Sequence, residues 1–150
     1  MPNYRAIVKA VSSVLFIGYI PFAPGTFGTL ASLAFVWILR PYILLHVLII
    51  IAIFIIGLIS SHYAEREFGQ TDSPKIVIDE FTGYLVSTAF LPLTTDYLIC
   101  AFFLFRFFDI LKPIFIKIIE RRIHGGLGIM LDDIVAGIFT NIILQVWRLL

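Results

Sequence analysis

Charged residues set between apolar runs of bilayer length constrain this chain more than anything else in it. Residues 105–137 read FRFFDILKPIFIKIIERRIHGGLGIMLDDIVAG, with Arg106, Asp109, Lys112, Asp132 and Asp133 between strongly apolar flanks. Such charges are costly beside lipid, so they are functional-site candidates. Arg106, Asp109 and Lys112 recur every three residues, a spacing that places them on one broad helix face. Pro113 ends that helix. Gly125, Gly126 and Gly128 then form a flexible turn into Asp132 and Asp133, at the head of a last helix. The chain is 60% hydrophobic, well above the roughly 45–50% apolar fraction of soluble domains. An all-α, compact multi-helix integral membrane bundle is therefore expected, as a single domain over residues 1–150. The net charge of +1 implies no polyanion surface and no nucleic-acid partner, and the lone Cys100 excludes an internal disulfide.

In chain order, Tyr4–Ile20 has helical apolar spacing with Arg5 and Lys9, and reads as an interfacial helix stopped by Pro21. No small-x-small cleavage pattern follows it, so the segment reads as retained. Pro24-Gly25 marks a turn, and Thr26 or Thr29 is placed to cap the next helix. Its free N–H groups suit a phosphate, although the lysine and spacing of a P-loop are missing. Phe27–Leu39 and Tyr42–Ile59 form a helical hairpin, the second segment long enough to span. His46 reads as an interfacial side chain. Ser60–Lys75 reads as a solvated helix extension and loop, with His62, Glu65 and Glu67 on a solvated face.

Asp79-Glu80 heads the apolar run after IVIDE, and Asp79, Gly83 and Ser87 recur every four residues as one small, polar face. Pro92 and the LPLTTD break leave two short helices, each about 15 residues or ~22 Å. Together they make a short or re-entrant hairpin over 81–105. In the last helix Asp133, Gly137 and Asn141 repeat the four-residue spacing, and Trp147 and Arg148 suit the far interface. Cys100 and Arg106 match the Cys-x5-Arg spacing of cysteine phosphatases, but the residues between them are Ala-Phe-Phe-Leu-Phe. No glycine is present to form a phosphate loop, so the match is rejected.

Arg5, Lys9, Arg66, Lys75, Lys112, Lys117, Arg121 and Arg122 all favour the cytoplasmic side. They can share it only if 81–105 enters and returns. Asp79, Glu80, Asp109, Asp132 and Asp133 then converge at one boundary with Thr26, Arg106 and Lys112. Acidic oxygens without a His/Cys cluster favour a hard cation such as Mg2+, and Arg106 with Lys112 adds an anion site. Metal and anion sites at a membrane surface point to phosphoryl chemistry on a lipid head group. Residue chemistry alone does not choose phosphatase over phosphotransferase, and a small ion or proton carrier is the reading from another class.

The pieces APGTFGT at 23–29, IVIDE at 76–80, FRFFDILKP at 105–113, HGGLGIMLDD at 124–133 and Ala136-Gly137 resemble, in order, the phosphatidylglycerophosphatase A family. Phe115 departs from the family's second proline there. The DGxxAR pattern of CDP-alcohol transferases is absent. The resemblance implies an all-helical, Mg2+-dependent enzyme of the bacterial inner membrane, multi-pass, with its site facing the cytoplasm. It would hydrolyse phosphatidylglycerophosphate to phosphatidylglycerol and phosphate. It implies Asp79, Glu80, Asp132 and Asp133 as metal ligands. Asp109, Asp132 and Asp133 would be catalytic, Asp109 as ligand, base or nucleophile. Gly25, Thr26, Thr29, Arg106 and Lys112 would hold the phosphate. His124 would protonate the leaving glycerol oxygen or serve structurally.

Overall fold

The computed structural model describes residues 2–113 and 123–150, so Phe115, Lys117, Arg121 and Arg122 lie outside the described residues. Those described form six α-helices and no strand: α1 (Pro2–Ser12), α2 (Pro24–Leu39), α3 (Ile43–Phe68), α4 (Ile78–Ser87), α5 (Thr95–Leu111) and α6 (Gly126–Leu149). The all-α expectation holds. α3 and α6 are each long and apolar enough to cross a membrane. α3 exposes Leu44, Leu48, Ile51 and Ile55 along its outer side, an apolar face that fits lipid.

Several boundaries differ from the sequence reading. α1 ends at Ser12, not Ile20, because Val14, Leu15 and Phe16 turn left-handed in succession, with φ of 48°, 54° and 70°. The Ser13 hydroxyl accepts the Phe16 N–H at 3.0 Å and fixes that turn. α2 starts at Pro24, where proline's missing N–H costs nothing. Neither Thr26 nor Thr29 caps it. The Ala23 carbonyl takes the Thr26 N–H at 3.0 Å, and Thr29 donates to the Gly25 carbonyl at 2.9 Å. α3 runs without a break through 60–68, for 26 residues or about 39 Å. His46 is buried rather than interfacial, and faces the Leu85 backbone. The hairpin expected of α2 and α3 does not close on itself. α2 packs on α4 and α5, and α3 on α1, α4 and α6.

α4 therefore sits in the middle, against α2, α3, α5 and α6. Most of its ten residues are buried, among them Phe81, Tyr84 and Leu85 of the main core. Its partner α6 runs parallel to it, and the two four-residue series meet. Asp79 lies by Asp133, Gly83 by Gly137, and Ser87 by Asn141. A Cβ on Gly83 would lie 2.7 Å from the Asp133 carbonyl oxygen, and one on Gly137 would strike the Gly83 carbonyl. Small residues at these crossing points let the backbones touch.

α4 ends after 10 residues, about 15 Å, shorter than expected. Its terminal carbonyls are buried, and water is scarce at that depth. Asn141 Nδ2 donates to the Ser87 and Ala89 carbonyls at 3.1 and 2.7 Å, and Gln145 Nε2 to Ala89 at 3.4 Å. Arg148 Nη1 donates to Phe90 at 3.1 Å. α5 then returns over 17 residues, about 25 Å, longer than expected. Its Tyr97 ring starts 5.1 Å from Trp147, and its Arg106 arrives 4.0 Å from Glu80. α4 and α5 form a short hairpin that leaves Asp79, Glu80 and the end of α5 on the same side.

Candidate active site

Asp79 and Glu80 occupy the first turn of α4, and Asp133 reaches them from α6. One carboxylate oxygen from each lies within 4.8 Å of the others. Parallel packing through Gly83 and Gly137 brings the acids this close. Buried oxygens Asp79 Oδ1, Glu80 Oε2 and Asp133 Oδ2 have no hydrogen-bond partner among the described residues. Burial and the neighbouring Glu80 raise the Asp79 carboxyl, and burial pushes Glu80 up to about 7 although the Arg106 guanidinium opposes it. Both lie outside the two helices long enough to span.

Arg106 makes an ion pair with Asp109 one turn along α5 and lies 4.0 Å from Glu80. Lys112 does not share the helix face expected of it. It is the residue that ends α5, left-handed with φ 41°, and this turn swings it toward α6. There Lys112 Nζ donates to Asp132 Oδ2 at 3.0 Å. Asp132 Oδ1 accepts the Asp133 N–H at 3.0 Å. Adjacent residues diverge by about 100° around a helix, so Asp132 faces Lys112 while Asp133 faces Asp79. Three of the four acids expected as ligands come together, and the fourth holds a lysine.

The start of α2 closes the site. A Cβ on Gly25 would collide with Glu80 Oε1 and lie 3.3 Å from Arg106 Nη1, so a larger residue there would have to displace the Glu80 carboxylate. Thr26 is half-buried nearby, with its N–H spent on Ala23. Thr29 is fully buried, and its hydroxyl donates within the helix. His124 is exposed and stands apart from the three acids, on the wall of a cavity of about 230 Å³ that also includes Asp132.

That cavity holds residues the sequence reading passed over. Glu65, Thr71 and Asp72 line it; Thr71 and Asp72 are exposed, as expected of a solvated stretch, and Glu65 is half-buried. Glu65 Oε1 accepts the Asp72 N–H at 3.0 Å and ties the loop to α3. Acids in a loop that shares its side with Asp79 were the available signal. Only Gly125 belongs to the turn; Gly126 and Gly128 are close-packing positions inside α6, which starts at Gly126 and so carries Asp132 and Asp133 in its second turn and not at its head. Gly125 adopts φ 75°, and a Cβ on Gly126 would strike the Leu58 carbonyl of α3.

In this site Asp79, Glu80, Asp109, Asp132 and Asp133 face Arg106 and Lys112, an excess of negative charge among the described residues. Buried charges are expensive unless compensated. Three orphaned carboxylate oxygens on facing helices fit a hard divalent cation, with no nitrogen or sulfur donor among them.

The phosphatidylglycerophosphatase A family model matches residues 10–148. A protein of Escherichia coli (strain K12) named phosphatidylglycerophosphatase A is 38% identical over 127 residues, covering 82% of this chain and 73% of that protein. One of the same name from Haemophilus influenzae is 36% identical over 138 residues, covering 88% and 85%. A Bacteroides thetaiotaomicron protein, provisionally named a phosphatidylinositol-3-phosphatase, is 33% identical over 141 residues, covering 87% of each. No solved structure matches the chain.

Proposed function

Because the chain belongs to the phosphatidylglycerophosphatase A family, we propose that its acid cluster is where phosphatidylglycerophosphate is hydrolysed to phosphatidylglycerol and phosphate. The activity is that of a lipid phosphatase in glycerophospholipid synthesis. The observation that carries the site is the set of orphaned oxygens shared by Asp79, Glu80 and Asp133.

These three residues would hold Mg2+. When bound, the ion supplies positive charge against the phosphate oxygens. Arg106 and Lys112 supply the remaining charge, as donors for charge-assisted hydrogen bonds to the phosphate. Asp109 and Asp132 orient these two cations through the ion pairs described above. Gly25 lets the α2 start rest directly on the Glu80–Arg106 pair and so helps hold Arg106 at the acid cluster. In the reaction a water oxygen bonds to phosphorus as the bond to the glycerol oxygen breaks.

The described acids of the cluster gather at one end of the bundle, which favours an enzyme over an ion carrier. Arg5 pairs with Glu67 at 3.4 Å, and Lys9 and Lys75 lie over the Phe68 ring at 5.9 and 5.5 Å. These cations surround the end of α3, whose Glu65 lines the cavity beside Asp132. Basic residues at that end support a multi-pass protein of the bacterial inner membrane with its site facing the cytoplasm.

Purified protein should release phosphate from phosphatidylglycerophosphate with Mg2+ and stop when the metal is chelated. Folded protein that releases none overturns the function, and release that survives chelation overturns the metal. For sidedness, Thr71→Cys in a Cys100→Ser background should react with a membrane-impermeant thiol reagent only after the membrane is opened. Labelling in intact cells overturns the cytoplasmic placement.

A further inference from the structure

Two cavities meet at His124. The one nearer the acids, about 230 Å³, begins at Asp132 and includes Glu65, Thr71 and Asp72. The other, about 480 Å³, is a groove between α3 and the start of α6, walled by Leu58, Ile59, Tyr63 and Leu127, with His62 and His124 at its mouth. From the acid cluster outward the order is therefore cations and acids, a cavity with Glu65, Thr71 and Asp72 on its wall, a junction of His62 and His124 beside Arg66, and an apolar groove.

A phospholipid carrying a terminal phosphomonoester has the same order: phosphomonoester, hydroxyl-bearing glycerol, anionic phosphodiester, diacylglycerol. We propose that the α3–α6 groove receives the diacylglycerol end of the substrate, with Arg66, His62 and His124 holding its phosphodiester. The proposal rests on the phosphatase reading above.

The occupant follows from continuity and charge. The groove joins the acid site through the shared His124 and the Asp132 cavity. Arg66 Nη2 lies 3.4 Å from His62 Nε2. With Arg66 as donor, the imidazole proton sits on Nδ1. That atom would be 3.5 Å from a Cβ on Gly125, so it faces the junction of the two cavities. A guanidinium and an imidazole N–H suit a phosphodiester anion. The groove's other wall is α3 at Leu58–Tyr63, where its long apolar run gives way to the polar extension, a boundary that suits the junction of head group and acyl chains. Gly126 holds α6 close enough to α3 to shape this floor. Under this assignment His124 is a binding residue for the diester, not the acid for the leaving oxygen.

Groove-filling substitutions Leu127→Trp and Ile59→Trp test it from both walls, with Ile142→Trp on an exposed α6 position as control. The substrates are dioleoyl and dihexanoyl phosphatidylglycerophosphate in detergent micelles. Both groove variants should raise KM for the dioleoyl substrate at least about tenfold while kcat stays within about threefold, and lose the preference for long chains. The control should match wild type. Arg66→Gln should raise KM for both substrates alike. Groove variants with wild-type KM and chain preference overturn the proposal while leaving the phosphatase reading intact, as does a fall confined to kcat. A second readout needs no turnover. Benzoylphenylalanine in place of Leu127, in an Asp133→Asn background, should cross-link dioleoyl phosphatidylglycerophosphate held at low mole fraction, and the same group in place of Ile142 should not. Equal capture at both overturns the groove. Wild-type protein that releases no phosphate sinks the phosphatase reading instead.

Discussion

At one end of the α4–α6 pair, Asn141, Gln145 and Arg148 donate to backbone carbonyls of residues 87–90; at the other, Asp79, Glu80 and Asp133 face one another as acceptors. The same parallel packing, on the same four-residue spacing, produces both ends. At the first, a helix stops at depth and neighbouring side chains satisfy its carbonyls, as a membrane interior requires. At the second, buried oxygens are left without donors. Removing charge there would make folding easier, since buried unpaired charges destabilise. That contrast is what supports the proposal of a cation at the acid end.

The largest effect expected from this contrast is in Asp133→Asn or Asp79→Asn. Each should lower kcat/KM by at least about a thousandfold, roughly 4 kcal/mol of transition-state stabilisation. The fold should survive, and in Mg2+-free buffer the variant should melt at the wild-type temperature or above it. Mg2+ should raise the melting temperature of the wild type and not of the variant. Asp132→Asn sharpens the comparison. Asp132 is bonded to Lys112 and stands outside the three-acid cluster, so its loss should be smaller, about ten- to a hundredfold, and carried by KM. Equal, complete loss in both would put Asp132 back among the ligands.

Next is Gly83→Ala, which acts on both ends at once. The added methyl would lie 2.7 Å from the Asp133 carbonyl and 2.7 Å from the Phe105 ring. Neither backbone nor packed ring yields easily, so destabilisation of about 1–3 kcal/mol is expected, read by thermal unfolding in detergent. Turnover should fall as well, because the methyl pushes Asp133 away from Asp79. A variant with normal stability and turnover breaks the claim that backbone contact at Gly83 sets the acid spacing.

Asn141→Leu touches only the satisfied end. It leaves the Ser87 carbonyl without its donor and the Ala89 carbonyl with Gln145 alone. The cost should be about 1 kcal/mol or somewhat more, within the usual range for a buried group left unpaired. Turnover per folded molecule should stay near wild type. Loss of turnover without loss of stability would show that the two ends are coupled.

The two series of this comparison, Asp79-Gly83-Ser87 and Asp133-Gly137-Asn141, were legible from spacing alone. So were the short helical hairpin broken at 91–94, from Pro92, and the polar extension of α3. What spacing cannot carry is which helices meet. Nothing local says that the two series face each other, or that α2 and α3, neighbours in sequence, pack on α4 instead. The left-handed run at Val14–Phe16 carries no glycine or proline to announce it. Asp132 and Asp133 looked equivalent because the direction of a side chain depends on where its helix sits. Thr71 and Asp72 are solvated as their composition suggests, but that their loop folds back beside Asp132 is a tertiary fact.

The smallest effect expected is in Cys100→Ser. Cys100 and Arg106 are six residues apart on one continuous helix, about 9 Å of rise and 240° of rotation. A phosphate loop would need both ends of that stretch to curl around one anion, but the N–H groups between them are spent inside α5. The half-buried Cys100 lines an apolar cavity with Phe103, Leu104 and Trp147, near the satisfied end of the α4–α6 pair. Arg106 sits at the acid end, on Glu80 and Asp109. The substitution should therefore leave kcat and KM within about twofold, since Cys100 touches an apolar cavity and none of the described acids or cations of the site. Phosphate release by the purified variant, beside its melting temperature, checks this. An inactive variant that remains folded would move the chemistry to the middle of α5, and the orphaned carboxylates would then need a structural explanation that their packing does not offer.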